Sequence, residues 1–405
     1  MTSVSLPPKV QRIDPQANAV LTTPYDRGAD EPTWYQSSFA ASAQNTSDTS
    51  DVVNLALNDS QVPLQPFVLY HDDFLKVLGP NPRLKVIAKE ETYPFAHEAG
   101  VWIPETREVF FTSNQFYGDA KHHHRVIRIS KIKLPLYSDT TADDDEGLYE
   151  WETITPQSPI LTGNGATNWD DGVLFCQQGS GSVPGALIYM SPKPPYATKT
   201  LLNNFYGRPF NAPNDVAVLP MDGSIWFTDP DYAQLQSLRR FHRLPNQVYC
   251  FQPITGSIRM VADGFVRPNG IAFSPDCKRC YITDTEAYDG LGNNIARAAA
   301  TIYVQDVVEQ TSPSGEVSFY LANKRVFAFA DCGAPDGIKV DLAGNVYSGC
   351  GDGVHVWNPS GTLIGKILVP RGVANFCFAD PGTIILLNET RIFEVKCAAR
   401  GALVQ

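Results

Sequence analysis

From Pro66 onward the chain is a succession of short apolar runs broken by turn chemistry. Val109-Phe110-Phe111-Thr112, Ile225-Trp226-Phe227-Thr228, Tyr281-Ile282-Thr283 and Thr383-Ile384-Ile385-Leu386-Leu387 are rich in β-branched and aromatic residues. Their length and composition predict strands. Between them lie Pro104-Glu105-Thr106-Arg107, Asp170-Asp171-Gly172 and Met221-Asp222-Gly223-Ser224, which read as hairpin turns. An apolar period of 3.6 is nearly absent. Residues 1–65, rich in Ser, Thr, Asp, Asn and Pro, read as a loosely ordered polar arm with one apolar stretch, Val52 to Leu57. The remainder, 66–405, divides into about six units of roughly 40 to 65 residues, each of three or four strands. Repetition at that spacing in an all-β chain predicts a six-bladed β-propeller. The strand candidates near Phe67 and Val86 are expected to complete the blade formed by the C-terminal strands.

One turn keeps returning at the head of these units. Ala212-Pro213-Asn214-Asp215-Val216, Arg267-Pro268-Asn269-Gly270-Ile271 and Ala334-Pro335-Asp336-Gly337-Ile338 each place a side-chain oxygen after Pro and ahead of a strand. Glu98, in His97-Glu98-Ala99-Gly100, opens the first full unit in the same way, and Asn164 the second. First strands of propeller blades line the central channel, so Glu98, Asn214, Asn269 and Asp336 are expected to converge, with Asn164 nearby. Carboxylate and amide oxygens without thiolate or imidazole suit a hard divalent cation, Ca²⁺ above all, with Mg²⁺, Mn²⁺ or Zn²⁺ as alternatives. Asn and Asp after Pro are also ordinary turn residues. What favours a site is their recurrence at equivalent strand starts.

The formal charge of −11 provides no basic footprint for nucleic acid or an anionic membrane. No apolar run is long enough for a transmembrane helix, and the start, Met1 to Val20, lacks a signal-peptide apolar stretch. A cytoplasmic location is therefore expected. Asn45-Thr46-Ser47, Asn58-Asp59-Ser60 and Asn388-Glu389-Thr390 match the glycosylation pattern, which arises often by chance. Most of the eight cysteines sit in apolar runs and read as buried small hydrophobes. Cys277-Lys278-Arg279-Cys280 falls at a hairpin with no second such pair, so it reads as structural. A closed ring without open edges permits a monomer or a weak homo-oligomer.

Several segments together resemble the SMP-30/gluconolactonase/LRE-like family, and within it the fungal lactonohydrolases. They are His97-Glu98-Ala99, Phe210-Asn211-Ala212-Pro213-Asn214-Asp215-Val216, Ile225-Trp226-Phe227-Thr228-Asp229-Pro230, Ala262-Asp263-Gly264-Phe265-Val266-Arg267-Pro268-Asn269-Gly270, and the run from Gly349 through Asp352, His355 and Trp357 to Gly361. The likeness extends from about Pro66 to the C-terminus. It implies a six-bladed propeller whose metal ligands fall on Glu98, Asn214, Asn269 and Asp336. In the second unit Asn164-Gly165-Ala166 keeps the Asn while the following residues drift, which leaves substrate contacts on that side open.

The activity implied is hydrolysis of a small aldonolactone or pantoyl-lactone type ester to its hydroxy acid. A bound cation polarises the carbonyl and a water attacks. Asp336 is the expected general base. No Gly-x-Ser-x-Gly elbow is present, which disfavours a serine hydrolase. The alternative is a biosynthetic propeller of the same family that steers a cyclisation, of hetero-Diels–Alder type, of a secondary-metabolite intermediate. A non-catalytic scaffold is disfavoured because all four ligand types are retained. Arg208 and His97 are further catalytic candidates, although strand alternation turns His97 away from the ion. His122-His123-His124 cannot all face one ion from a strand. Asp229 and Asp284, ending second strands, read mostly as turn caps, and the long loops Tyr232 to Arg243 and Glu286 to Arg297 as walls of a pocket.

Overall fold

A computed structural model describes residues 5–13, 63–119, 122–136, 147–240, 243–290, 292–293, 295 and 298–402. Strands dominate, and the helices Asp73–Leu78 and Tyr232–Leu235 are short. Among the described residues no helix is long and apolar enough to cross a membrane.

The strands form the six blades of a propeller. Blade 1 comprises Glu98–Ile103, Glu108–Thr112, Ile129–Lys133 and Trp151–Ile154. Blade 2 comprises Gly163–Trp169, Gly172–Gln177, Ala186–Met190 and Thr198–Leu202; blade 3, Val216–Leu219, Ser224–Asp229, Gln247–Gln252 and Ser257–Ala262. Blade 4 runs from Pro268–Phe273 through Arg279–Asp284 to the long pair Thr301–Thr311 and Val317–Phe329. Blade 5 holds Ile338–Val340, Val346–Cys350, Gly353–Trp357 and Leu363–Leu368. Blade 6 holds Asn375–Phe378, Thr383–Asn388 and Arg391–Lys396, and Arg83–Lys89 adds to it antiparallel, closing the ring.

The chain start departs from expectation in two places. Phe67–Leu69 does not join the C-terminal blade; it pairs with Leu363–Leu368 as a fifth strand of blade 5. Val10–Arg12, within the segment read as an arm, adds a sixth strand parallel to it. The Val10 side chain is buried in the cluster between blades 5 and 6, so apolar contact outweighs the polar bias of its neighbours. The stretch Val52 to Leu57 lies outside the described residues, as do Asn45-Thr46-Ser47 and Asn58-Asp59-Ser60.

Six apolar clusters hold the ring, one between each pair of adjacent blades. This explains why second strands such as Ser224–Asp229 and Thr383–Asn388 are buried along their whole length. Both faces pack on a neighbouring blade, so their sequences read as continuous apolar runs without alternation. All eight cysteines are free thiols, including Cys277 and Cys280, as the structural reading expected.

Candidate active site at the head of the central channel

The first strands approach the axis so closely that the residue after each turn has little room for a side chain. A Cβ on Gly165 would lie 2.5 Å from the Asn214 carbonyl oxygen, and one on Gly270 the same distance from that of Asp336. Hydrogen bonds step round the ring at this level. Thr112 donates to the Asn164 carbonyl at 3.4 Å, Thr228 to that of Asn269 at 2.6 Å, and Thr283 to that of Asp336 at 2.9 Å. These three second strands thus fix the turn of the next blade. Asp229 accepts the Asn211 and Ala212 amides, and Asp284 those of Val266 and Arg267. They are turn caps, as expected, and each buckles a Pro-Asn turn from behind.

Bulges then aim the side chains. The ladder register shifts at Ala99/Val101, Gly163/Ala166 and Pro268/Ile271, beside Glu98, Asn164 and Asn269. A bulge breaks strict alternation and redirects a side chain. Glu98, Asn164, Asn214, Asn269 and Asp336 all line one cavity. All five are buried. The Asn164 and Asn214 Oδ1 atoms have no hydrogen-bond partner. A buried polar atom without a partner costs roughly 1–3 kcal/mol, and two such oxygens beside two carboxylates form a donor set that fits a cation.

His97 is where alternation misled. It precedes the ladder, which begins at Glu98, and the bulge follows at once. Its ring lines the cavity, with a nitrogen within 4.8 Å of Glu98 and Asp336 oxygens. Nδ1 lies 2.6 Å from Glu389 Oε1. Burial opposes protonation of His97, but Glu389, and then Glu98 and Asp336, outweigh it and push its pKa up to about 9. Burial raises the Glu98 carboxyl well above its usual range, and the neighbouring Asp336 adds to this; Asp336 is raised mainly by its own burial.

Arg208 is not brought into this group. It stands exposed on the small hairpin Asn204–Phe205/Arg208–Pro209, away from the residues that line the cavity. The Tyr206 hydroxyl of that hairpin reaches Ile258, on the outermost strand of blade 3, so the hairpin lies against the rim of its blade. His122 to His124 lie on the strand His122–Val126, paired with Phe116–Asp119.

Other wall residues had weaker signals. Ser113, Asn114 and Gln115 follow the second strand of blade 1. Asn375 opens the inner strand of blade 6 without a Pro-Asn-Gly turn, and its Nδ2 donates to Glu98 Oε2 at 2.7 Å. The two long loops do contribute walls, through Tyr232, Gln236, Tyr288, Gly290 and Gly292. Tyr232 is tied to Thr285 and Gln115 to Gln236 across the mouth. Asn164 and Gly163 complete the blade 2 side, where the motif had drifted.

Residues 144–387 match the model of the SMP-30/gluconolactonase/LRE-like region. The chain belongs to this family. A lactonohydrolase of Aspergillus oryzae, oryL, is 32% identical over 332 residues, covering 77% of this chain and 70% of the relative. Among solved structures, a gluconolactonase of Xanthomonas campestris superposes with a TM-score of 0.60 at 23% identity, covering 82% of this chain and 94% of its own. A calcium-binding regucalcin of Agrobacterium tumefaciens does so with a TM-score of 0.52 at 16% identity, covering 79% and 95%. At these identities the two structures speak for the propeller fold alone.

Proposed function

We propose that this chain is a metal-dependent lactonase that opens a small lactone of aldonolactone or pantoyl-lactone type. The observation that supports it is the buried oxygen cage: carboxylates from Glu98 and Asp336 face the unpartnered amide oxygens of Asn164 and Asn214. Asn269 lines the same cage. Oxygen donors with two carboxylates fit a hard divalent cation, Ca²⁺ first. The name of the Aspergillus relative agrees with this reading. When bound, such an ion would polarise the lactone carbonyl and stabilise charge on its oxygen.

The chain's own residues supply the rest. Asp336 takes the proton of the attacking water, a role suited to a carboxyl whose proton affinity is raised. His97, on the same cavity wall, handles the proton of the ring oxygen as the acyl–oxygen bond breaks. Asn375 holds Glu98 in place. Gln115, Gln236 and Tyr288 line the cavity and offer amide and hydroxyl groups to a polyhydroxylated ring. The cavity suits a small-molecule substrate and a monomer carries a complete site.

The test is turnover of a panel of aldono- and pantoyl-lactones by protein stripped with EDTA and reloaded with Ca²⁺. Activity lost on stripping and restored on reloading is expected. Metal-loaded protein inactive across the panel would overturn the hydrolase reading and direct attention to cyclisation.

A further inference from the structure

The contact that ties His97 to Glu389 joins residues 292 positions apart, across the seam between blades 1 and 6. Its geometry is more constrained than a chance ion pair. Both side chains are nearly enclosed, at 12% and 11% exposure. Asn114 Nδ2 lies 3.3 Å from each Glu389 oxygen, and its own Oδ1 accepts the Gln115 amide, which sets the direction of the donor. Backbone bonds lock the three segments together: the Ala96 amide donates to the Glu389 carbonyl, and the Asn114 amide to that of Pro94, both at 2.9 Å.

Glu389 also sits where a glutamate is conformationally unfavourable. It occupies the tip of the hairpin between Thr383–Asn388 and Arg391–Lys396, with φ at 51°. The left-handed region favours Gly, Asn or Asp, and a residue held there costs on the order of 1 kcal/mol or more. A hairpin tip that only had to turn the chain has cheaper solutions. Here the unfavourable backbone is what brings a carboxylate to the ring of His97.

We infer that Glu389, braced by Asn114, is a positioning residue that fixes the His97 imidazole through Nδ1 and leaves Nε2 as the nitrogen the cavity can use. It carries no chemistry itself and touches no reacting atom. It orients a ring that would otherwise rotate away from Glu98 and Asp336. The catalytic readout of this assignment rests on the proposed lactonase activity, whereas the spectroscopic one does not.

The experiment uses the full chain with ¹⁵N-labelled histidine and the variants Glu389→Gly, Glu389→Gln, His97→Gln and the Glu389→Gly/His97→Gln pair. In the unmodified protein a strongly downfield Nδ1–H signal, absent from His97→Gln, is expected to vanish in Glu389→Gly and to shift in Glu389→Gln. Because glycine relieves the left-handed tip, Glu389→Gly should melt no lower than the unmodified protein. Its kcat on the best lactone of the panel should nevertheless fall on the order of 10- to 100-fold, with KM changed little and Glu389→Gln intermediate. In the His97→Gln background Glu389→Gly should have no further effect, since coupled residues fail to add. An Nδ1–H signal that persists in Glu389→Gly would overturn the assignment, as would additive losses in the double variant. Should no lactone be turned over, the proposed activity fails, and the histidine spectrum alone decides the positioning role.

Discussion

Removing the metal should leave a proton in its place, and the size of the effect follows from the geometry. Glu98 and Asp336 are buried and offer oxygens within 4.8 Å of one another. Two ionised carboxylates at that separation repel by about 3.5 kcal/mol at an effective dielectric of about 20. At 1.36 kcal/mol per pH unit this raises the second ionisation by about 2.5 units. Burial acts in the same direction on both acids. At neutral pH the metal-free pair therefore retains about one proton, which belongs to the cluster rather than to one residue. A divalent ion must expel it. Because binding releases a proton, higher pH favours binding: apparent Ca²⁺ affinity should rise about tenfold per pH unit from above the ordinary carboxylate range up to the raised value, then level. His97, raised to about 9, can add a second proton to the count. The assay is calorimetric titration of Ca²⁺ into stripped protein at pH 7 in Pipes and in Tris. The dependence of the measured heat on buffer ionisation enthalpy yields the proton count. A count between one and two is expected, staying near one in His97→Gln. A count near zero, with affinity unchanged from pH 6 to 8, would refute the shared-proton argument.

Asp336→Asn should lower kcat on the order of 10²- to 10⁴-fold while the stripped protein melts no lower than the unmodified one, since a buried acid has become a neutral amide; retained turnover would refute the general-base role. Asp352→Asn should cost about 3 kcal/mol in chemical denaturation, because the buried Lys366 ammonium loses one of its two carboxylates, at 2.9 Å, and keeps only Asp331, at 2.6 Å. Asp352 is held below its ordinary pKa despite burial, by His355 and Lys366, so its contribution is present above about pH 4 and lost as pH falls through that range. Lys366 is raised, so its contribution is lost above its ordinary value near 10.5; the difference between variant and parent should thus be largest at intermediate pH and shrink in acid. Gly270→Ala places a methyl group 2.5 Å from the Asp336 carbonyl oxygen, which should cost about 1–3 kcal/mol and weaken Ca²⁺ binding, measured by melting with and without the ion.

Much of this molecule was legible in its sequence because the repeated elements are local. The turn at the head of a blade, the hairpin after it and the apolar second strand all lie within a short window, and six such windows define the ring; three of them carry the Pro-Asn or Pro-Asp turn. Glu98, Asn214, Asn269 and Asp336 could be placed at one cavity because they open equivalent strands. What could not be read depends on partners far along the chain or on departures from regular strand geometry. Glu389 looked like part of a chance glycosylation triplet, and its contact with His97 exists only once blade 6 meets blade 1. Asn375 holds an equivalent strand start without the turn motif that marked the others. His97 stands just ahead of the ladder, where strand alternation does not set its direction. Arg208 failed for a related reason: proximity in sequence to the Asn214 turn does not survive the small hairpin that carries the guanidinium to the rim.

The same arrangement couples the site to the stability of the ring. The second-strand hydroxyls of Thr228 and Thr283 bond the backbone of Asn269 and Asp336, proposed ligands in the following blade. The Asp215 carboxylate, accepting the Val216 amide of its own blade and the Ile271 amide of the next, does the same from the channel side. The positions of these residues are therefore set by contacts between blades as well as within them. A cation bound by oxygens from blades 1, 3, 4 and 5 would draw together blades that otherwise meet through apolar surfaces and these few hydrogen bonds. Its binding energy then adds to the folding equilibrium of the whole ring, and loosening one blade interface degrades a ligand on the neighbouring blade. Thr283→Val tests this coupling: it removes the hydroxyl that donates to the Asp336 carbonyl and accepts the Gly270 amide, and should lower the Ca²⁺-induced rise in melting temperature more than it lowers the melting temperature of the stripped protein. Equal losses in both states would show that the hydroxyl serves the fold alone.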